Sequence, residues 1–136
     1  MVGVDSARNV SGAQTGALDP ANGMFWTWNT GYIMAKLEGN APTSPSGTFE
    51  YRIGGFKEPD NVIKKPTLLF PFGQTLDLKP ERTSEITVSA NINSWFYNPH
   101  DIKFNQTPVC TSPGSLAKQI AENYSKMFTV DSVINQ

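Results

Sequence analysis

Residues 84–96 read SEITVSANINSWF. Ile86, Val88, Ala90 and Ile92 recur at every second position, and Glu85, Thr87, Ser89 and Asn91 fill the gaps. A strand sends successive side chains to opposite faces, so this alternation predicts a strand with its apolar face inward. Two other stretches read the same way. GYIMAKLEG (31–39) puts Ile33, Ala35 and Leu37 on one face and Tyr32, Met34, Lys36 and Glu38 on the other. TFEYRIGG (48–55) sets Phe49, Tyr51 and Ile53 against Glu50 and Arg52. TLLFPF (67–72) and QTLDLKP (74–80) are candidate strands, with Leu76 and Leu78 alternating. Pro71 confines the first of these to an edge or a bulge. Five or so strands separated by Gly/Pro turns predict an all-β fold, an antiparallel, Greek-key-like β-sandwich.

The last part of the chain changes period. In SPGSLAKQIAENYSKMF (112–128), Leu116, Ile120 and Tyr124 are spaced by four, and Met127 and Phe128 close the stripe. Ser112 suits a helix cap with Pro113 at the first helical position. One C-terminal amphipathic helix lying on the sheet is therefore expected. The stretch from residue 3 to 31, rich in Gly, Asn, Ser and Ala, reads as a long ordered loop, or as a segment without order if its packing partner is absent. Val2–Ser6 (VGVDS) reads as the tail of a strand entering a turn. The length of 136 residues suits a single domain over 1–136, and no repeat or composition break divides it.

The formal net charge is −1, without a long run of one sign, which argues against nucleic acid or an anionic membrane as partner. Charged residues make up 17%, below the ~25% usual for soluble domains. That profile is common in β-rich secreted proteins. No segment approaches the ~18 apolar residues of a membrane span. The opening residues have neither the charged nor the apolar region of a signal peptide. Asn9, Asn105 and Asn123 begin N-x-[ST] triplets. Cys110 is the only cysteine and His100 the only histidine, so no intrachain disulfide forms and no zinc site is complete. Cys110 reads as a quiet small residue in a loop. No nucleophile elbow, P-loop or dinucleotide fingerprint occurs, and the scattered carboxylates single out no acid–base pair.

The chemistry-bearing stretch is LDPANGMFWTWNTGYIMAKLEG (18–39), with Phe25, Trp26 and Trp28 within four residues. On an extended chain, residues two apart point the same way, so Trp26 and Trp28 form one aromatic ledge and Phe25 faces away. Such a ledge is core or cross-strand packing, or it is a site that stacks a sugar or holds a cation. Met24 adds a thioether, a ligand type that suits Cu(I).

This stretch, as LDP-x-x-GM-x-W-x-W-x-x-GY, together with YRIGGF, ITVSANINSWF and IAENYSKMF in that order, resembles the MbnP-like copper-binding family. The resemblance implies a non-enzymatic copper-binding or copper-handling protein, periplasmic, secreted or lipid-anchored at the outer membrane, of a Gram-negative bacterium. It also implies an upstream region, so that the chain corresponds to the C-terminal part of a longer domain. It further implies strands with an unmatched edge, or a partner chain that fills that edge as a homo-oligomer contact. In one branch of the family a tryptophan is oxidised to kynurenine by a dihaem cytochrome c peroxidase-type partner. Opening the indole ring yields an aromatic amine and a carbonyl, and the amine nitrogen reaches a metal. Trp26 or Trp28 matches the W-x-W of the family, and Met24 its methionine. Many relatives carry His where this chain has Arg52, whose guanidinium does not ligate a metal. His100 is then the one imidazole available, so Met24, Trp26, Trp28 and His100 are the candidate copper ligands. The alternative is a β-sandwich binding or adhesion module, for carbohydrate or protein, that kept the fold and lost the metal. An enzyme is the third reading, with no catalytic constellation behind it.

Overall fold

The computed structural model describes residues 1–12 and 14–136; the loop reading at position 13 lies outside them. The chain opens with a bridge in which Val2 and Lys64 exchange both backbone hydrogen bonds, at 2.8 and 3.1 Å, in keeping with a strand tail there. Asp5 then caps a single helical turn, α1 (Ser6–Asn9), by accepting from the Arg8 N–H. Short 3₁₀ turns follow at Gly16–Leu18 and Pro20–Asn22. Six strands come next in chain order, with one helix among them: β1 (Phe25–Thr27), β2 (Gly31–Asn40), β3 (Thr48–Gly54), β4 (Ser84–Ala90), β5 (Val109–Cys110), α2 (Ser115–Tyr124) and β6 (Phe128–Asn135).

The strands form two sheets, one in the order β1-β2-β3-β5 and a two-stranded ribbon of β4 and β6. β2 and β3 pair antiparallel, with Leu37 opposite Tyr51 and Lys36 opposite Arg52. β5 joins β3 in parallel, Cys110 opposite Tyr51, so the larger sheet is mixed rather than purely antiparallel. The fold is mostly β with a C-terminal helix, as the periodicity indicates. The layer packed on the larger sheet, however, is α2 with the 3₁₀ turn Ile92–Phe96. One core cluster joins Tyr32, Tyr51 and Ile53 of the sheet to Trp95, Ile120 and Tyr124, and no residue of β4 or β6 belongs to it. The expected sandwich of two facing sheets is thus replaced by sheet against helix. The cause lies in the partners: aromatic Phe49 and Tyr51 meet Phe96 and Phe104 across the layer, with ring centroids 4.6 to 6.3 Å apart.

Four local expectations need correction. Residues 67–80 form no strand: Pro66, Pro71 and Pro80 remove ladder donors, and Leu69 and Phe72 stand exposed. The helix starts at Ser115 behind Gly114, without a side-chain cap, so Ser112 and Pro113 precede it. Phe128 belongs to β6 and not to the helical stripe, because the helix ends at Tyr124. Ile86 and Val88 share one face, but they stay 42% and 45% exposed, and Ile92 has left the strand. The stripe itself is as spaced: Ile120 and Tyr124 are buried, with Ala117 and Ala121 beside them. Among the described residues no helix is long and apolar enough to cross a membrane.

Candidate functional site

The tryptophan-bearing hairpin is built by its polar neighbours. Asp19 caps the turn at 20–22, its Oδ1 accepting from the Ala21 N–H at 2.9 Å, with Pro20 at the first position. Tyr32 then reaches back, and its hydroxyl donates to the Leu18 carbonyl at 2.7 Å. Its ring meets Phe25 edge-on at 4.9 Å. Asn9 fastens the start of β2 to the N-terminal loop. Its amide nitrogen donates to the carbonyls of Val4 and Asp5, and its oxygen accepts from the Tyr32 N–H at 2.9 Å. A Cβ at residue 31 would sit 2.4 Å from that oxygen, and the backbone there has φ 78°, so Gly31 is required twice over.

β1 and β2 pair through Phe25–Tyr32 and Thr27–Gly31, which leaves Trp26 as the extra residue of a bulge. The outer edge of its indole lies against Gly54, where a Cβ would come within 2.4 Å of the ring. Trp26 is half-buried as a result. Trp28 has passed beyond the strand into the turn that Thr27 and Thr30 close through their hydroxyls, 2.8 Å apart, and it stands 77% exposed. The continuous ledge expected from a period of two is interrupted by the bulge and the turn: one indole is packed on the sheet and the other is presented to solvent. Met24 sits half-buried at the base of the hairpin, where its carbonyl accepts from the Ile33 N–H at 2.9 Å. Beside the turn lies a cavity of about 180 Å³ walled by Asn29, Thr30, Phe56, Lys57, Glu58 and Asp60.

His100 makes its contacts elsewhere. Its Nε2 is 2.5 Å from Glu122 Oε2 on α2. Asn123 holds its backbone on both sides, accepting from the His100 N–H and donating to the His100 carbonyl. The His100 hydrogen bond holds the Glu122 carboxyl below the usual carboxylate range. Ser115, beside the Pro113 that the cavity near the Trp28 turn includes, and Glu122 are separated by roughly 10 Å of helix. Arg52 is equally occupied: its Nε donates to Glu38 at 2.8 Å and its Nη2 to Glu50 at 2.6 Å. That hydrogen bond lowers the Glu38 carboxyl pKa. Cys110 is buried on β5, and burial pushes its thiol up to about 11, the state of an unreactive sulfur. Among the described residues no three His, Cys, Asp or Glu side chains converge on a point where they could hold a metal ion. Met24 offers one soft donor, while an indole N–H only donates. The hairpin over residues 24–31 thus carries one thioether and no imidazole, thiol or carboxylate.

Sequence reading missed the partners of these groups, Glu122 for His100 and the Lys57–Asp60 wall of the cavity. Glu122 sits three residues from Gln119 on an ordinary-looking helix face, and nothing in its spacing marks it.

A family model, MbnP, matches residues 1–112. The chain belongs to the MbnP family. The matched residues hold the whole hairpin and both sheets up to β5, while α2 and β6 lie beyond them. No curated protein and no solved structure matches the chain.

Proposed function

We propose that this MbnP-family chain is a non-enzymatic copper-handling protein of the periplasm, and that the 24–31 hairpin is its contribution to the copper site. The reading is carried by the family match, which spans the Met-x-Trp-x-Trp hairpin, and by the 77% exposure of Trp28. A tryptophan kept for packing is covered; this one is held out by a turn closed with two threonine hydroxyls. Of the two indoles it is the one that a modifying partner can reach, since Trp26 is packed over Gly54. Met24 supplies a soft thioether suited to Cu(I). His100 stays a candidate through Nδ1, since Glu122 engages its Nε2 and Asn123 holds only its backbone. The donors that complete the site come from outside this hairpin.

The test is a copper titration of protein isolated from its natural host, followed by tryptophan fluorescence, with intact-mass measurement alongside. The expected result is a mass in which Trp28 has lost one carbon and gained one oxygen, and a saturable quenching of the remaining tryptophans, Trp26 and Trp95, that Trp28→Phe removes. Intact tryptophans together with no copper uptake would end the reading. A second reading rests on the same exposed ring and the cavity beside it. Trp28 with Asn29, Lys57 and Asp60 is the combination of aromatic platform and polar groups that takes a sugar. Glycan titration read by Trp28 fluorescence, in metal-free buffer, separates the two.

A further inference from the structure

Trp26 and Trp28 stand two residues apart, yet one rests on the sheet and the other stands in solvent. β1 is too short to impose that split by its own ladder. It has three residues and meets β2 at two residue pairs. A slip of one residue in such a pairing turns every side chain to the opposite face. The register therefore depends on what fastens the two sides of the hairpin. On the β2 side the fastening is Asn9, whose oxygen accepts from the Tyr32 N–H at 2.9 Å and leaves room only for glycine at residue 31. On the β1 side, the Met24 carbonyl accepts from the Ile33 N–H, but the bulge at Trp26 separates that bond from the loop. Beyond the bulge the fastening is Thr27. Its Oγ1 accepts from the Thr30 N–H at 3.2 Å and lies 2.8 Å from the Thr30 hydroxyl. A side-chain oxygen here does the work of a backbone carbonyl, a local closure to which Ser and Thr are suited.

We propose that Thr27 is the positioning residue that presents Trp28, and not Trp26, to a partner in solution. The proposal rests on the reading of Trp28 as the indole a modifying partner reaches, and it names the side chain that selects it. With Thr27 bonded to Thr30, Trp28 is the first residue of the loop and leaves the strand. The extra residue of β1 then falls at Trp26, whose ring comes to rest against Gly54. Without the hydroxyl, the Thr30 N–H loses its acceptor and β1 is free to straighten. A regular strand turns both indoles to one side, which lifts Trp26 from Gly54.

The three tryptophans report on this together, because Trp95 is buried in the core cluster and follows only wider loosening. The full chain is treated with limiting N-bromosuccinimide, and the oxidised indoles are located by peptide mass mapping. In the wild type, Trp28 should react first and Trp95 last. Thr27→Val keeps the shape and removes the hydroxyl. It should raise labelling of Trp26 relative to Trp28 about fivefold, the weight of one net hydrogen bond, with Trp95 unchanged. Thr27→Ser keeps the hydroxyl and should restore the wild-type ratio. An unchanged ratio in Thr27→Val overturns the proposal, as does a Thr27→Ser chain that behaves like Thr27→Val. Trp95 labelling that rises in step with Trp26 overturns it too, because Thr27 then supports the whole fold. Intact Trp28 in protein from the natural host removes the modification reading instead and leaves the labelling ratios standing.

Discussion

β3 and β4 are both seven residues long and both alternate apolar with polar, yet they have opposite fates. In β3, Tyr51 and Ile53 are fully buried; in β4, Ile86 and Val88 keep close to half of their surface in water. The difference is in what stands opposite. β3 lies between β2 and β5 and faces α2 and the ring cluster of Phe96 and Phe104. β4 has one neighbour, and a ribbon of two strands cannot bury its own face. Alternation therefore sets which side chains share a face, and the partner sets whether that face is inside.

The sharpest way to break the comparison is to remove a core side chain from β3. Ile53→Ala should cost about 2–5 kcal/mol in denaturant unfolding, because the core around it is closed on all sides. A cost below ~1 kcal/mol would mean that the sheet–helix layer is as loosely packed as the ribbon. A smaller effect is expected at the hairpin. Gly54→Ala drives a methyl into the Trp26 ring, and the displaced indole should cost about 1–3 kcal/mol while shifting tryptophan fluorescence to the red. Unchanged emission would show that Trp26 does not rest there.

Acid acts on the packed half through Glu122. The His100 hydrogen bond lowers the Glu122 pKa below 4.5 in the folded chain, so the carboxylate contributes stability at neutral pH. That contribution is present above about 4.5 and is lost as pH falls through the lowered value. Glu122→Gln should flatten this part of the stability–pH curve, and an unaltered acid slope would remove the pair from the account. Burial acts at the other extreme, pushing the Tyr51 hydroxyl up to about 12. The folded state resists its ionisation, so stability should fall above about pH 10, and Tyr51→Phe should lessen that fall. The smallest effect belongs to the exposed flank: Phe72→Ser should change stability by no more than ~0.5 kcal/mol, because the ring touches water on all sides.

Much of the hairpin was legible from residues. GYIMAKLEG marked β2, because alternation along a strand is local chemistry. The separation of the two indoles was not legible. A spacing of two predicts a shared side only while the strand stays regular, and the bulge at Trp26 depends on how Phe25 and Thr27 find Tyr32 and Gly31. His100 was a ligand candidate by scarcity alone; its engagement with Glu122 needs a helix 22 residues away to be docked. Residues 67–80 looked like strands because leucines alternate there, but three prolines and no facing strand kept them out of any sheet.

By itself the sequence determined the strand segments β2, β3 and β4, the apolar stripe of α2 and the family to which the chain belongs. These follow from the period of side chains along a backbone and from residues that fit one conformation. Tertiary structure alone decided that a helix rather than a second sheet covers the core. It also decided that Trp26 is covered while Trp28 is not, and that β4 keeps an open edge. Those outcomes depend on contacts between residues distant in the chain, whose energies no local pattern contains.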